Sequence, residues 1–526
     1  MLLLGDILVR QSVETRRAEK IAAIFESRDG ARESITYRDL NARVNQIANA
    51  LLEQGVENGE RVAVLGRNSI EYVAIYFALA KIGAVMVPVN FWYRPAELKY
   101  TIDQSTSSVL ILADQFATTY LPVADDLASI RAVLAYGGRN LPGIVHLDDL
   151  VASASVEEPV PRIEVQETDP HIVLYTSGTT GFPKGATLSH RAHYLHALAW
   201  ALQTRQTDDD VGIVVYPLFH TGGPDCVVLP HFIVGGTIVV HDGADPELIL
   251  ESVERNQLTN VFCVPTVWRR ILATSSIGYR KLDSVRRCLG SSDTLPPDLL
   301  DAILSRFNAD VYVTYGLTEA GCILTFSRLT NNDRSAIATV GRPHPLVDVR
   351  VVDVEGMPVQ VGDVGEVVAR GPTLMDHYWG MPDRSAEAVV NGWLHTGDLG
   401  RFDSEGNLTI VGRLKDMIVS GGEKIYPIEV EKLLRSHDSV QDCALIGVPD
   451  PEWGESVLAV IVVNPGTTIT VSEVRHFVRT QMAGYKTPKF VEFVDALPAT
   501  TSTGKIQKAL LRELFRATAL SDKANP

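Results

Sequence analysis

Residues 35–56, ITYRDLNARVNQIANALLEQGV, place Leu40, Val44, Ile47, Leu51 and Leu52 on one face at helical spacing. Thr36 with Asp39 forms a capping-box pattern at the start, and Gly55 supplies a stop. The next apolar run, RVAVLG (61–66), is short and continuous, as in a buried strand. Similar runs recur in SSVLILAD, HIVLYT, GIVVYP, GTIVVH, TNVFCVP and ADVYVTYG, separated by helical spans. Short Val/Ile-rich strands alternating with helices predict parallel sheets with crossover helices. Residues 72–91, YVAIYFALAKIGAVMVPVNF, approach membrane-spanning length, but Lys81, Gly83 and Pro88 divide them. The pattern there predicts a buried helix, a turn and a buried strand, with no membrane span.

The rhythm changes near residue 340. VDVRVVDVEGMPVQVGDVGEVVARG is rich in strands and turns and lacks long helices, predicting a small β subdomain of barrel type. From about 416 mixed α and β patterns return: IYPIEVEKLLRSH and VSEVRHFVRTQM as helices, CALIGVPD and VLAVIVV as strands. The expected fold is α/β. A large N-terminal domain of stacked, doubly wound sheets plus the β subdomain covers 1–413 (1–335 and 336–413). A small mobile α+β domain covers 414–526. A charged, glycine-bearing stretch, GRLKDMIVSGGEKIYP (412–427), lies on that boundary.

Composition refines this picture. At 526 residues the chain exceeds one core, and 45% apolar with 21% charged content marks a folded protein. A net charge of −16 lacks the basic footprint of a nucleic-acid binder. The five cysteines are scattered without a C-x-x-C pair, which predicts a reducing, cytoplasmic setting and no structural zinc. MLLLGDILVR has only a short apolar run before Asp6 and lacks a basic n-region and a cleavage site, so no secretory leader is expected.

The candidate chemistry starts at YTSGTTGFPKG (175–185), where seven of the ten residues 176–185 are Gly, Ser or Thr. Hydroxyls and exposed backbone N–H groups there can cradle phosphates, and Lys184 adds a positive charge. Pro183 stands where a Walker A loop needs its second glycine, so the loop is of another kind.

This loop resembles the signature of the adenylate-forming superfamily: acyl-CoA synthetases, aryl-CoA ligases, peptide-synthetase adenylation domains and beetle luciferases. PLFHTGG (217–223), YGLTEAG (315–321), HTGDLG (395–400), GRLKDMIVSGGEKIYPIEVE (412–431) and PATTSTGK (498–505) match in the family's order. The closest motif likeness is to bacterial fatty-acid or aryl acyl-CoA synthetases. The resemblance implies two half-reactions. A carboxylate attacks the α-phosphate of ATP to give acyl-AMP and pyrophosphate, and the thiol of coenzyme A then displaces AMP.

The resemblance also implies residue roles. Thr176, Ser177, Gly178, Thr179, Thr180 and Lys184 hold phosphates, and Thr180 and Lys184 also assist catalysis. Glu319 with Thr176 binds Mg2+. Tyr315 lies against the adenine beside Thr314, Gly316 and Leu317, and Thr318 reaches the α-phosphate. Asp398 accepts from the ribose hydroxyls, with Arg413 and Ile410 near the nucleoside. His220, Gly222, Gly223, Ser292 and Gly316 border the acyl group, and His220 also has a catalytic role, orienting the substrate or gating the thiol channel. Lys505 stabilises the adenylation transition state, where charge concentrates between carboxylate and phosphate. Lys415 is the hinge, and Gly421, Gly422 and Lys424 face coenzyme A.

Two segments depart from the family's pattern. Ser291, Ser292 and Asp293 replace a Gly-Gly-Ala-Pro-like segment beside the nucleotide, which predicts a narrower or more polar acyl pocket. Lys424 replaces the Asn of SGGENIYP. The substrates implied are a small carboxylic acid, ATP and coenzyme A. A carrier-protein-loading acyl-AMP ligase is the alternative, with the intact SGGEKIYPIEVE favouring CoA. A homodimer is left open.

Overall fold

Thr36 starts the helix Tyr37–Glu53 by accepting the backbone N–H of Asp39, and Leu40, Val44, Ile47 and Leu51 are buried as their spacing predicts. The computed structural model describes every residue except 140, 177–182, 291–294, 500–505 and 516–526. Compactness separates the chain into one unit of Met1–Val349 with Ala369–Leu394, and a second of Arg350–Val368 with His395–Pro526. A hinge concerns motion rather than compactness, so this division leaves Lys415 a separate question.

The first unit carries two large sheets. One has eight strands in the order His377–Tyr378, Lys184–Ser189, Pro170–Thr176, Val85–Val89, Arg61–Leu65, Val109–Ala113, Ala132–Tyr136 and Val145–His146. The other has nine, running from Arg342–Pro343 through Thr325–Leu329, Asp310–Tyr315, Arg287–Gly290, Asn260–Phe262, Val211–Val214, Thr237–His241 and Ile21–Glu26 to Arg32–Thr36. Their central strands are parallel and buried, with helices between them in the chain.

Residues 72–91 resolve into the helix Ile70–Ile82, a left-handed Gly83 at φ +73°, and the buried strand Val85–Val89. Lys81 lies in that helix with its ammonium held by Asn41 (2.8 Å), Asn45 (2.7 Å) and Glu158 (2.5 Å). Among the described residues no helix is long and apolar enough to cross a membrane.

Two of the connections that depart from the parallel crossover pattern carry candidate motifs. Pro170–Thr176 and Lys184–Ser189 pair antiparallel, as do Asp310–Tyr315 and Thr325–Leu329. A link of seven to nine residues is too short for a helical crossover, so the chain turns back as a hairpin.

The β subdomain is a five-stranded sheet. It is built from Asp348–Val352, Gly365–Arg370, Trp393–Phe402 and Val389–Val390, with Leu408–Arg413 paired to Trp393–Phe402. The α+β segment follows. Its sheet runs Glu423–Ile425, Ile418–Ser420, Gly454–Val463, Val440–Asp450, with Phe490–Phe493 beside Gly454–Val463. Helices Pro427–Arg435 and Val471–Gln481 contribute Val430, Leu434, Val474 and Val478 to the core that also holds Leu445 and Ile461.

Candidate active site

Thr176 ends one strand of the first hairpin and Lys184 begins the other, directly opposite it in register. The Thr176 hydroxyl lies 3.4 Å from Oε1 of Glu319, in the loop after Tyr315. Tyr378 donates its phenolic proton to the same oxygen at 2.8 Å. Lys184 stands over the Tyr378 ring, 4.9 Å from its centre, within cation–π range. Three residues expected together therefore meet, with Tyr378 as a fourth that sequence reading missed. Its phenol pKa is pushed well above the ordinary value, by burial first and by the Glu319 carboxylate second. It is thus a proton donor at any physiological pH. The edge strand His377–Tyr378 pairs with Lys184–Ser189 and brings it there.

The Glu319 loop is tightly packed. A Cβ on Gly316 would fall 2.0 Å from the Cys322 carbonyl oxygen, so only glycine fits. Thr318, Glu319 and Ala320 form a single helical turn, and the Met375 N–H donates to the Glu319 carbonyl at 2.8 Å. Tyr315, Leu317 and Thr318 are half-buried beside this turn. Thr314 is buried, and its hydroxyl has no hydrogen-bond partner among the described residues.

His220 is half-buried at the end of PLFH. Its Nδ1 accepts the Gly222 N–H at 3.3 Å, which puts the proton of the neutral ring on Nε2. Burial lowers its pKa below the usual value, so the ring is neutral at pH 7. A Cβ on Gly222 would meet the Tyr216 ring at 2.9 Å, and Tyr216 stacks on Phe262 with ring centres 4.6 Å apart. Gly223 is equally enclosed by the Pro217 carbonyl at 3.0 Å. A π-helical turn, Pro224–Val228, follows. No hydrogen bond or ion pair joins His220 to the Glu319 cluster among the described residues.

In the second unit Asp398 and Arg413 face each other across paired strands, with Arg413 Nε 3.1 Å from Asp398 Oδ1. Asp398 is buried, and its N–H donates to the Thr396 hydroxyl at 3.1 Å. Ile410 lies on the same strand as Arg413, opposite Gly400. Lys415 is exposed in the turn Leu414–Asp416. Arg512 ties that turn to the helix Lys508–Leu514, through Asp416 at 2.8 Å and the Lys415 carbonyl at 3.4 Å.

Gly421 and Gly422 are the two central residues of the hairpin joining Ile418–Ser420 to Glu423–Ile425, with φ of +58° and +84°. Two positive φ values are what a type I′ turn requires. The Trp453 ring also lies 2.6 Å from where a Gly421 Cβ would sit. The glycine pair thus has a local structural cause. Lys424 is exposed on the second strand of this hairpin. Ser177, Gly178, Thr179, Thr180, Ser291, Ser292 and Lys505, with Asp293, lie outside the described residues.

Comparison with known proteins gives the family of the whole chain. The AMP-binding enzyme family matches residues 9–379, and the AMP-binding enzyme C-terminal domain matches 429–505. A feruloyl-CoA synthase of Amycolatopsis sp is 40% identical over 483 residues, 92% of this chain and 94% of that protein. The fatty acid–[acyl-carrier-protein] ligase ScoC of Streptomyces coeruleorubidus is 33% identical over 495 residues, 92% of each. The crystal structure of the anthranilate CoA ligase AuaEII in complex with anthranoyl-AMP superposes with a TM-score of 0.88 at 29% identity, covering 98% of both chains. With the nucleotide motifs in family order and the fold shared end to end, the chain belongs to the adenylate-forming superfamily of AMP-binding enzymes, as an AMP-forming acid–thiol ligase of the acyl-CoA synthetase type that uses ATP, Mg2+ and coenzyme A.

Proposed function

We propose that this ligase activates an aromatic carboxylic acid of the hydroxycinnamate class and transfers it to coenzyme A. The observation that carries this reading is the 40% identity to a feruloyl-CoA synthase, against 33% to a fatty-acid ligase over the same share of the chain. The setting of the PLFHTGG segment supports it. Tyr216 and Phe262 form a stacked pair there, and Trp200 lies 5.7 Å from Phe262 and 5.3 Å from Phe326. An aromatic cluster beside this segment suits a flat acyl group, which can pack against rings by offset stacking.

Glu319 and Thr176 fit a hard divalent cation, because both offer oxygen and Tyr378 fixes the carboxylate. Mg2+ bound there would offset phosphate charge on ATP. Lys184 holds phosphate oxygens with Thr180, Ser177, Gly178 and Thr179, and Tyr315 lies against the adenine beside Ser291. Asp398 accepts from the ribose hydroxyls, with Arg413 orienting its carboxylate. His220, neutral with Nε2 protonated, donates toward the acyl carboxylate and orients it beside Ser292. Lys505 stabilises the charge that develops as carboxylate and α-phosphate join. Lys415 is the pivot between the half-reactions, and Gly421, Gly422 and Lys424 face coenzyme A. Five free, buried cysteines fit a cytoplasmic enzyme.

A pyrophosphate-release screen over aromatic and aliphatic acids, run with and without CoA, tests the reading. Hydroxycinnamates should turn over fastest and CoA should sustain turnover. A best substrate among long saturated acids would overturn the substrate class. Sustained turnover with an acyl-carrier protein but not with CoA would overturn the acceptor.

A further inference from the structure

We propose that Cys226 and Cys322 form a redox modification site, an intramolecular disulfide made by a peroxide and broken by a thiol reductant. Their sulfurs lie 3.3 Å apart inside the first unit. A disulfide spans about 2.05 Å, so the sulfurs need to approach by about 1.3 Å from the present 3.3 Å. Cys226 sits in the π-helical turn that follows His220. Cys322 sits in the Glu319 loop at φ +92°, a conformation that non-glycine residues seldom adopt. The other cysteines differ. Cys443 donates to the Glu431 carbonyl at 3.5 Å, and no sulfur–sulfur contact involves Cys263 or Cys288 among the described residues.

The chemistry balances with hydrogen peroxide as oxidant. Cys322, at 9% exposure the more accessible of the two against 3% for Cys226, attacks one peroxide oxygen. The O–O bond breaks, the thiol proton leaves with the departing hydroxide as water, and Cys322 becomes a sulfenic acid. The Cys226 sulfur then attacks the Cys322 sulfur, the S–O bond breaks, and hydroxide departs with the Cys226 proton as a second water. Two electrons pass from the two sulfurs to the peroxide. Asp225, beside Cys226 in the chain, has its carboxyl pKa raised well above the usual value, by burial first and by Cys322 second. Cys226, the more buried of the two, is the resolving partner and not the first to react.

The bond would join the two segments that carry His220 and Glu319. Drawing them together displaces a loop by about 1 Å, and misplacement on that scale costs about 10²-fold in rate. Activity should therefore fall reversibly on oxidation.

The test treats the full chain with hydrogen peroxide, alkylates the remaining thiols and maps the unreduced digest by mass spectrometry. A single Cys226–Cys322 linkage should appear, with Cys263, Cys288 and Cys443 still alkylated. Pyrophosphate release should drop about 10–100-fold and return with dithiothreitol. Cys226→Ser and Cys322→Ser variants should each resist this inactivation. Sulfinic acid without a linkage, or serine variants as sensitive as the parent, would overturn the proposal. The linkage map stands on the parent chain alone, so it decides the matter even where a variant misfolds or the acid substrate has been misassigned.

Discussion

Tyr378 shows how one residue can complete a site that motif reading leaves open. Glu319 and Thr176 are visible in the sequence because each lies in a motif of fixed order. Tyr378 is 59 residues from Glu319 and reaches it only because a two-residue edge strand docks beside Lys184–Ser189. Neither helical nor strand periodicity encodes that docking. Removing the phenol in Tyr378→Phe should lower pyrophosphate release about 10–100-fold, the usual cost of losing a partner that orients a metal ligand. Initial rates across a Mg2+ series check this, with partial rescue at high Mg2+ expected and an unchanged Mg2+ dependence contradicting it. Lys505 is the opposite case, since only its motif speaks for it. Lys505→Ala should cut acyl-adenylate formation about 10²–10³-fold while largely sparing thioester formation from supplied acyl-adenylate. Separate assays of the two half-reactions would show equal losses if the assignment fails.

Elements explain where the motifs sit. The alternation of Val/Ile-rich runs with helical spans was readable along the first 335 residues. The reversal of direction at the two loops was not, because a strand that pairs antiparallel carries the same apolar pattern as one that pairs parallel. Those reversals aim Thr176, Lys184 and Glu319 at one another. The Gly421–Gly422 pair teaches a related lesson. Its positive φ angles serve a tight hairpin, so the glycines are needed locally whatever they face in the second half-reaction. The turn Leu414–Asp416 is held from the next element by Arg512, which leaves Lys415 exposed on a tethered segment. Lys415→Pro fixes φ near −65° there. It should slow CoA-dependent thioester formation several-fold while leaving adenylation near the parent rate. Rapid-quench analysis of both steps measures this, and equal effects would remove the hinge from Lys415.

At the scale of the molecule, the two units should respond differently to acid. Burial keeps His190, His231 and His344 at pKa values of about 4 and His193 at about 3, and holds His171 and His196 well below their usual value. All six belong to the first unit. Their pKa is lower folded than unfolded, so below pH 6.5 the unfolded chain binds protons that the folded one cannot. Stability is therefore present above pH 6.5 and is lost as pH falls toward 4, by about 1.4 kcal/mol per histidine per pH unit. In the second unit Asp450 is held ionised by Lys489 at 2.7 Å and by Ser456, which moves its carboxyl below the ordinary range. That contribution persists until pH falls below about 4. Hydrogen exchange between pH 6.5 and 4.5 should show residues 1–349 losing protection before the sheet at 440–463. Simultaneous loss would contradict the assignment. Composition gave no hint of this difference, since burial and not histidine number sets it.

The account rests most heavily on adenylate chemistry passing to a thiol. Its most direct test follows nucleotide products while the purified chain turns over a hydroxycinnamic acid with ATP, Mg2+ and CoA. The account predicts AMP and pyrophosphate in equal amounts with one acyl-CoA for each AMP, and only a brief burst of pyrophosphate when CoA is left out. ADP and inorganic phosphate as the products, or acyl-CoA formed without AMP, would contradict it.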